Sequence, residues 1–299
     1  MNKEQITQLL KTKQSTTLHS EINLVLEDQY KKAYDSMMDA YNAGLFVGLI
    51  GPVGAGKTAL CRKFAQDLGL PFSWVTFSDL VRPSTLIGSL DPTLVFNTGF
   101  DIDSFIPGPF TLSCLEGGVF LANELNRGDE YVLNSLLDAL EERKLFIPAL
   151  RTWYDVDDRF YLIAAMNPSE MRGTRKLPSA IKDRIKVWIH LDYPKRATEL
   201  RIVQQNVLEY NLPPDIIEHI LEIVSHTRND PQVETPASIR SSIGMARLVA
   251  QRAQRLNQSP DAHILAECVH LTLKEGIKLK PGRDINSYLS NLTKQIIGV

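Results

Sequence analysis

Gly51-Pro52-Val53-Gly54-Ala55-Gly56-Lys57-Thr58 fits the spacing G-x-x-x-x-G-K-[ST]. The chemistry of that spelling is phosphate binding. A triphosphate tail needs many donors in a small volume, and main-chain N–H groups are the most compact ones. Glycines let the chain curl without a Cβ in the way. Lys57 then reaches the β- and γ-phosphates, the Thr58 hydroxyl serves a Mg²⁺ ion, and Ala59 closes the binding stretch. Two further residues have the right chemistry to work beside such a loop. Glu124 can orient and polarise an attacking water, and Asn167 can hydrogen-bond that water or the γ-phosphate.

The elements needed to position these residues are legible around them. Leu45–Ile50 is a short, nearly all-apolar run, as a buried parallel strand would be. After the loop, Leu60, Phe64 and Leu68 recur every four residues, and Gly69 stands at a helix C′ position. So the loop lies between a strand and a helix, with phosphate expected at the helix N-terminus. Strand composition recurs at 73–77, at 118–122 just before Asn123-Glu124, at 160–166 just before Asn167, and at 187–191. Ligands of doubly wound α/β sheets sit at the carboxyl ends of the strands, which gathers Lys57, Asn123, Glu124 and Asn167 in one place.

Between these strands the pattern is less regular. In the proline-rich stretch 78–109, Thr93–Phe96 and Phe100–Ile102 flank Asn97-Thr98-Gly99, which predicts a β-hairpin where a plain α/β fold has a helix. Val132, Leu133, Leu136, Leu137 and Leu140 make the stripe of one amphipathic helix. Residues 145–147 and 152–154 are β-like, and Trp74, Trp153 and Trp188 read as packing residues. Ahead of the first strand lies a helix over 28–43, preceded by a polar, helix-prone lead-in anchored at Leu9, Leu10, Ile22, Leu24 and Leu26. After Pro194 the rhythm changes, with no strand signal. Helical periodicity appears at 197–210, 215–228, 238–256, 262–279 and 285–297, punctuated by prolines. The expected organisation is an α/β nucleotide-binding domain with its helical lead-in at 1–193 and an all-α lid at 194–299.

The order of motifs carries a resemblance. The phosphate loop is followed by Gly108-Pro109 ahead of Gly117-Gly118, then Asn123-Glu124-Leu125-Asn126-Arg127, Ala164-Ala165-Met166-Asn167-Pro168, and Leu177-Pro178-Ser179-Ala180-Ile181-Lys182-Asp183-Arg184. This series resembles the MoxR family of AAA+ ATPases over roughly residues 25–255. The resemblance implies the AAA+ P-loop fold with a five-stranded parallel sheet, ATP and Mg²⁺ as cofactors, and chaperone-like action in a ring, most often a hexamer. It also implies a partner with a von Willebrand factor A domain. It makes Asn167 the sensor of the fourth strand, Arg184 an arginine finger acting on a neighbouring subunit, and Arg240, in Ala237-Ser238-Ile239-Arg240, a second sensor on the lid. The family usually has Asp where this chain has Asn123. An Asn keeps the carbonyl oxygen but loses the charge, which implies weaker Mg²⁺ binding or slower hydrolysis.

Composition narrows the alternatives. Hydrophobic content of 43% and charged content of 23% over 299 residues describe a globular chain. A net charge of −2 does not favour general nucleic-acid binding. Cys61, Cys114 and Cys268 lie far apart without metal-ligand spacing. Without a charged-then-apolar leader or an 18-residue apolar run, a soluble cytoplasmic protein with no membrane role is expected. The competing readings are a nucleic-acid-remodelling ring, a small-molecule kinase, and a nucleotide-binding scaffold with weak turnover. At the level of single residues, Glu124 competes with a plain strand-end acid and Asn167-Pro168 with a turn pair. Arg184 competes with a surface ion pair, and Arg240 with a solvated, arginine-rich helix face.

Overall fold

A computed structural model describes residues 24–100, 102–168 and 175–298; the anchors expected at Leu9, Leu10 and Ile22 lie outside them. By compactness the chain forms two units. The first takes in Tyr30–Pro52 and Lys57–Leu191, and the second takes in Val25–Gln29, Val53–Gly56 and Asp192–Val299.

In chain order the elements are α1 (Asp28–Asn42), β1 (Phe46–Ile50), α2 (Lys57–Asp67), β2 (Phe72–Thr76), α3 (Pro83–Ile87), β3 (Gly88–Leu90), α4 (Pro92–Thr98), β4 (Phe105–Pro107), α5 (Pro109–Glu116) and β5 (Val119–Asn123). There follow α6 (Glu130–Asn134), α7 (Leu137–Glu141), β6 (Lys144–Ile147), β7 (Thr152–Asp155), β8 (Tyr161–Met166), α8 (Ser179–Arg184) and β9 (Ile185–His190). The second unit adds α9 (Arg196–Asn206), α10 (Pro214–Asn229), β10 (Val233–Thr235), α11 (Ile239–Leu256), α12 (Ala262–Leu273), β11 (Lys278–Leu279) and α13 (Ile285–Ile297).

The first unit is built on a five-stranded sheet in the order β2-β5-β8-β1-β9, with every pairing parallel. Its inner strands are apolar along their whole length because helices cover both faces: β8 is buried at all six positions and β5 at its first four. Register then brings the strand ends together. Ile50 lies beside Met166 and His190, and Asn123 lies beside Thr76 and Ala165. The residues just beyond β1, β5 and β8, namely Gly51, Glu124 and Asn167, therefore share one edge of the sheet.

The structure corrects four sequence expectations. Residues 93–102 do not form a hairpin; Pro92–Thr98 is a helix. Asp91 caps it, its Oδ1 accepting from the N–H groups of Thr93 at 2.7 Å and Leu94 at 3.3 Å, with Pro92 in the first turn and Gly99 ending it at φ +87°. An Asp-Pro start and a glycine end outweigh the β-branched composition between them. The antiparallel pair in this region is instead β3 with β4, outside the helix. The stripe 132–140 is split into α6 and α7 at Ser135, whose Oγ donates to Val132 O at 2.6 Å; Val132, Leu133, Leu136 and Leu140 are still buried. The helix expected to run to 279 stops at Leu273. Lys278–Leu279 pairs antiparallel with Val233–Thr235, so the second unit holds a small sheet. Finally, Trp74 and Trp153 are about half exposed; Trp74 has the Arg62 guanidinium 4.7 Å from its ring centre.

The second unit packs Val203, Ile220, Val249, Leu265 and Leu289 into a core of its own. Inside it lies a buried charge pair. Arg228 donates to both oxygens of Glu199, at 2.6 and 2.9 Å, and through Nε to Ala237 O at 3.0 Å. Ser242 Oγ donates to Glu199 Oε1 at 2.8 Å. The Arg228 guanidinium also lies 4.0 Å from the ring centre of Tyr193.

Candidate nucleotide site

The phosphate loop is shaped by what surrounds it. A Cβ at Gly51 would stand 2.2 Å from Leu191 O, so no side chain fits there. Gly54 and Gly56 take φ values of +77° and +84°, the left-handed region that costs glycine nothing. Lys57 is the first residue of α2 and is buried. Its Nζ donates to Gly51 O at 2.6 Å and Pro52 O at 3.0 Å, and to Asn167 Oδ1 at 3.1 Å.

Asn167 is the hinge of the site. Buried at the end of β8, its Nδ2 donates to both oxygens of Glu124, at 2.7 and 2.8 Å. One amide therefore joins the lysine of the loop to the carboxylate after β5. Glu124 itself sits in the left-handed region, at φ +54° and ψ +38°, a conformation uncommon outside glycine that turns the chain sharply at the strand end. Arg127 Nε lies 3.1 Å from Glu124 Oε2, but the N–H is not aligned for a hydrogen bond. The contact is one of charge. Asn123 Nδ2 donates to Thr76 Oγ1 at 3.1 Å.

The structure thus joins Lys57, Glu124 and Asn167 in one hydrogen-bonded chain and puts Asn123 next to Glu124. It does not bring Arg184 or Arg240 into that chain. Arg184 ends α8 and is bound within its own subunit. Its Nε donates to Glu141 Oε1 at 2.7 Å, a second guanidinium nitrogen pairs with the same carboxylate, and the third nitrogen donates to Asp183 Oδ2 at 2.7 Å. Arg240 is exposed on the first turn of α11, in the second unit. Sequence reasoning quoted Asn126 and Arg127 within a motif without giving either a task. It passed over Arg175, whose guanidinium donates to Asp79 at 2.8 Å and Asp129 at 3.1 Å. The Tyr131 N–H and then Arg175 hold the Asp129 carboxyl below its usual range. Nothing local in the sequence points to Arg175, because its partners lie far away along the chain.

Donor chemistry and shape both suit a triphosphate with its metal. The site offers a buried ammonium, a loop with no room for a Cβ at Gly51, the N-terminus of an eleven-residue helix that carries Thr58, and Asn123 at the strand ends. Among the described residues, no group of three or more His, Cys, Asp or Glu side chains forms an all-protein metal site. All three cysteines are buried as free thiols, and burial pushes the Cys61 and Cys114 thiols up, away from reactivity.

Residues 47–185 match the AAA domain (dynein-related subfamily). The gas vesicle ATPase GvpN of Haloferax mediterranei is 28% identical over 262 residues, covering 78% of this chain and 75% of the relative. The chaperone MoxR1 of Mycobacterium tuberculosis is 30% identical over 173 residues, 56% of this chain and 43% of the relative. The denitrification regulatory protein NirQ of Pseudomonas aeruginosa is 28% identical over 215 residues, 70% and 78% respectively. The chain carries an AAA+ ATPase domain and is similar to MoxR-family ATPases. It shares its fold with a RuvB mutant of Thermotoga maritima, at a TM-score of 0.58 and 17% identity over 85% of this chain and 73% of that one. The parallel sheet and the helical C-terminal part are those of the AAA+ P-loop fold. Among the described residues, no helix is long and apolar enough to cross a membrane.

Proposed function

We propose that this ATPase works as a ring, most simply a hexamer, in which Mg²⁺-dependent hydrolysis of ATP drives the remodelling or activation of a protein partner. Residues 1–193 form the nucleotide-binding domain and 194–299 its lid. The observation that carries this reading is the Lys57–Asn167–Glu124 chain, in which one amide is shared between the group that would hold the γ-phosphate and the group that would activate water. Gly51 to Ala59 wrap the phosphates and Lys57 neutralises them. Glu124 takes up the attacking water, and Asn167 sets its orientation. Thr58 and Asn123 would hold a Mg²⁺ ion, which would supply positive charge to the phosphate oxygens. Arg184 completes the site of a neighbouring subunit, and Arg240 reports nucleotide to the lid. The relatives named a chaperone and a regulatory protein support a protein client, and family resemblance favours a partner with a von Willebrand factor A domain. Asn123 supports a second reading, a nucleotide-binding scaffold with weak turnover, because an amide stands where a carboxylate is usual.

Two variants decide between them. Lys57→Ala removes the fixed cation and is expected to lose ATP binding as well as hydrolysis. Glu124→Gln keeps the size and hydrogen bonding of the side chain and is expected to bind ATP while turning it over roughly 10²-fold more slowly. Equal turnover in Glu124→Gln and wild type would remove Glu124 from the chemistry and leave the scaffold. Wild-type nucleotide affinity in Lys57→Ala would remove the loop from binding.

A further inference from the structure

Asn126 is buried in the turn that follows Glu124, at 3% exposure. It joins two parts of the chain. Its side-chain Nδ2 donates to the main-chain carbonyl of Asn167 at 3.2 Å. Its main-chain carbonyl accepts from the N–H of Arg175 at 2.7 Å. Arg175 is held in turn by Asp79 and Asp129, and α8 with Arg184 begins four residues later.

The Asn126 Oδ1 is buried with no hydrogen-bond partner among the described residues. An amide in that position carries a desolvation cost that an apolar side chain would avoid. What an apolar residue would lack is the donor to Asn167 O. That bond holds the backbone of the residue whose side chain spans Lys57 and Glu124. With it gone, the Asn167 amide is free to turn away from the carboxylate whose two oxygens its Nδ2 now meets.

We propose that Asn126 is a positioning residue for ATP hydrolysis: it fixes the backbone of Asn167 so that one amide serves Lys57 and Glu124 together, and it ties that setting to the segment leading into Arg184. The proposal rests on the roles given above to Glu124 and Asn167. It predicts a split between chemistry and binding, because Asn126 touches neither the phosphate loop nor Lys57 among its hydrogen bonds.

The test measures steady-state ATP hydrolysis, binding of a fluorescent ATP analogue and thermal melting on the full chain. Asn126→Ala is expected to lower kcat roughly 10- to 100-fold, the scale of a small misplacement of a reacting group, while nucleotide affinity stays within about twofold of wild type. Asn126→Asp keeps the shape and replaces the donor with a group that donates only when protonated. Its turnover, divided by that of wild type at the same pH, is expected to rise as pH falls from about 9 to about 6, since a buried acid beside a carbonyl takes up its proton readily. The proposal is overturned by wild-type kcat in Asn126→Ala, by parallel losses of kcat, affinity and melting temperature, or by an Asn126→Asp ratio that stays flat with pH. The Asp variant decides the matter alone if the Ala variant does not fold. Glu124→Gln separates the two layers. If it turns over normally, the site reading fails; if it is inactive while Asn126→Ala is unimpaired, only the role of Asn126 fails.

Discussion

Arg184 is bound to Glu141 in its own subunit, yet the proposed ring needs it at a neighbour's phosphate. Magnitudes decide whether those statements conflict. The Arg184 and Glu141 side chains are 33% and 31% exposed, so water and salt screen the pair, and such pairs are worth about 0–1 kcal/mol. A trans-acting arginine is worth about 10³–10⁵ in rate, or roughly 4–7 kcal/mol of barrier at 1.36 kcal/mol per decade. Release from Glu141 would thus be a small cost against the gain in the proposed ring. Two substitutions are expected to behave very differently. Arg184→Ala should lose on the order of 10³-fold or more in turnover, whereas Glu141→Gln should change it by no more than about fivefold. The assay is ATP turnover per subunit as a function of protein concentration, followed by mixing Lys57→Ala with Arg184→Ala. Mixed rings pair an intact Lys57 with an intact Arg184 at some interfaces and should regain part of the activity. Normal turnover in Arg184→Ala would refute the argument. So would a Glu141→Gln protein as impaired as Arg184→Ala, because the worth of the arginine would then lie inside its own subunit.

Two further outcomes follow from the same reasoning. Asn123→Asp restores a charge beside Thr76 and Glu124, and should lower the Mg²⁺ needed for half-maximal turnover or raise the rate; a magnesium titration in which neither moves would make the amide fully competent. Arg228→Met strands the buried Glu199 carboxylate with Ser242 as its remaining side-chain donor among the described residues, and should cost about 3–5 kcal/mol in urea unfolding, while Arg228→Met with Glu199→Met should cost much less; equal costs would show that the pair is not coupled.

What the sequence determined by itself was local. The strand, glycine loop and helix around Lys57 are contiguous, and their hydrophobic period and glycine positions are set by residues a few places apart. The apolar strands before Asn123, Glu124 and Asn167 were readable for the same reason: a parallel strand covered on both faces has little choice of composition. Even locally the reading failed where two signals competed, as at 92–98, where an Asp cap and a proline start overrode β-like residues. Lys278–Leu279 was missed because two residues make a strand only when Val233–Thr235 is there to pair with them. The rest belongs to the tertiary structure. That Asn167 spans Lys57 and Glu124 depends on the register of β1, β5 and β8. That Arg184 rests on Glu141, and Arg228 on Glu199, depends on helices that meet only when folded. A side chain's partner is set by distance in space, and a guanidinium that could bond to any of 35 acidic residues in the chain carries no mark of which one it meets.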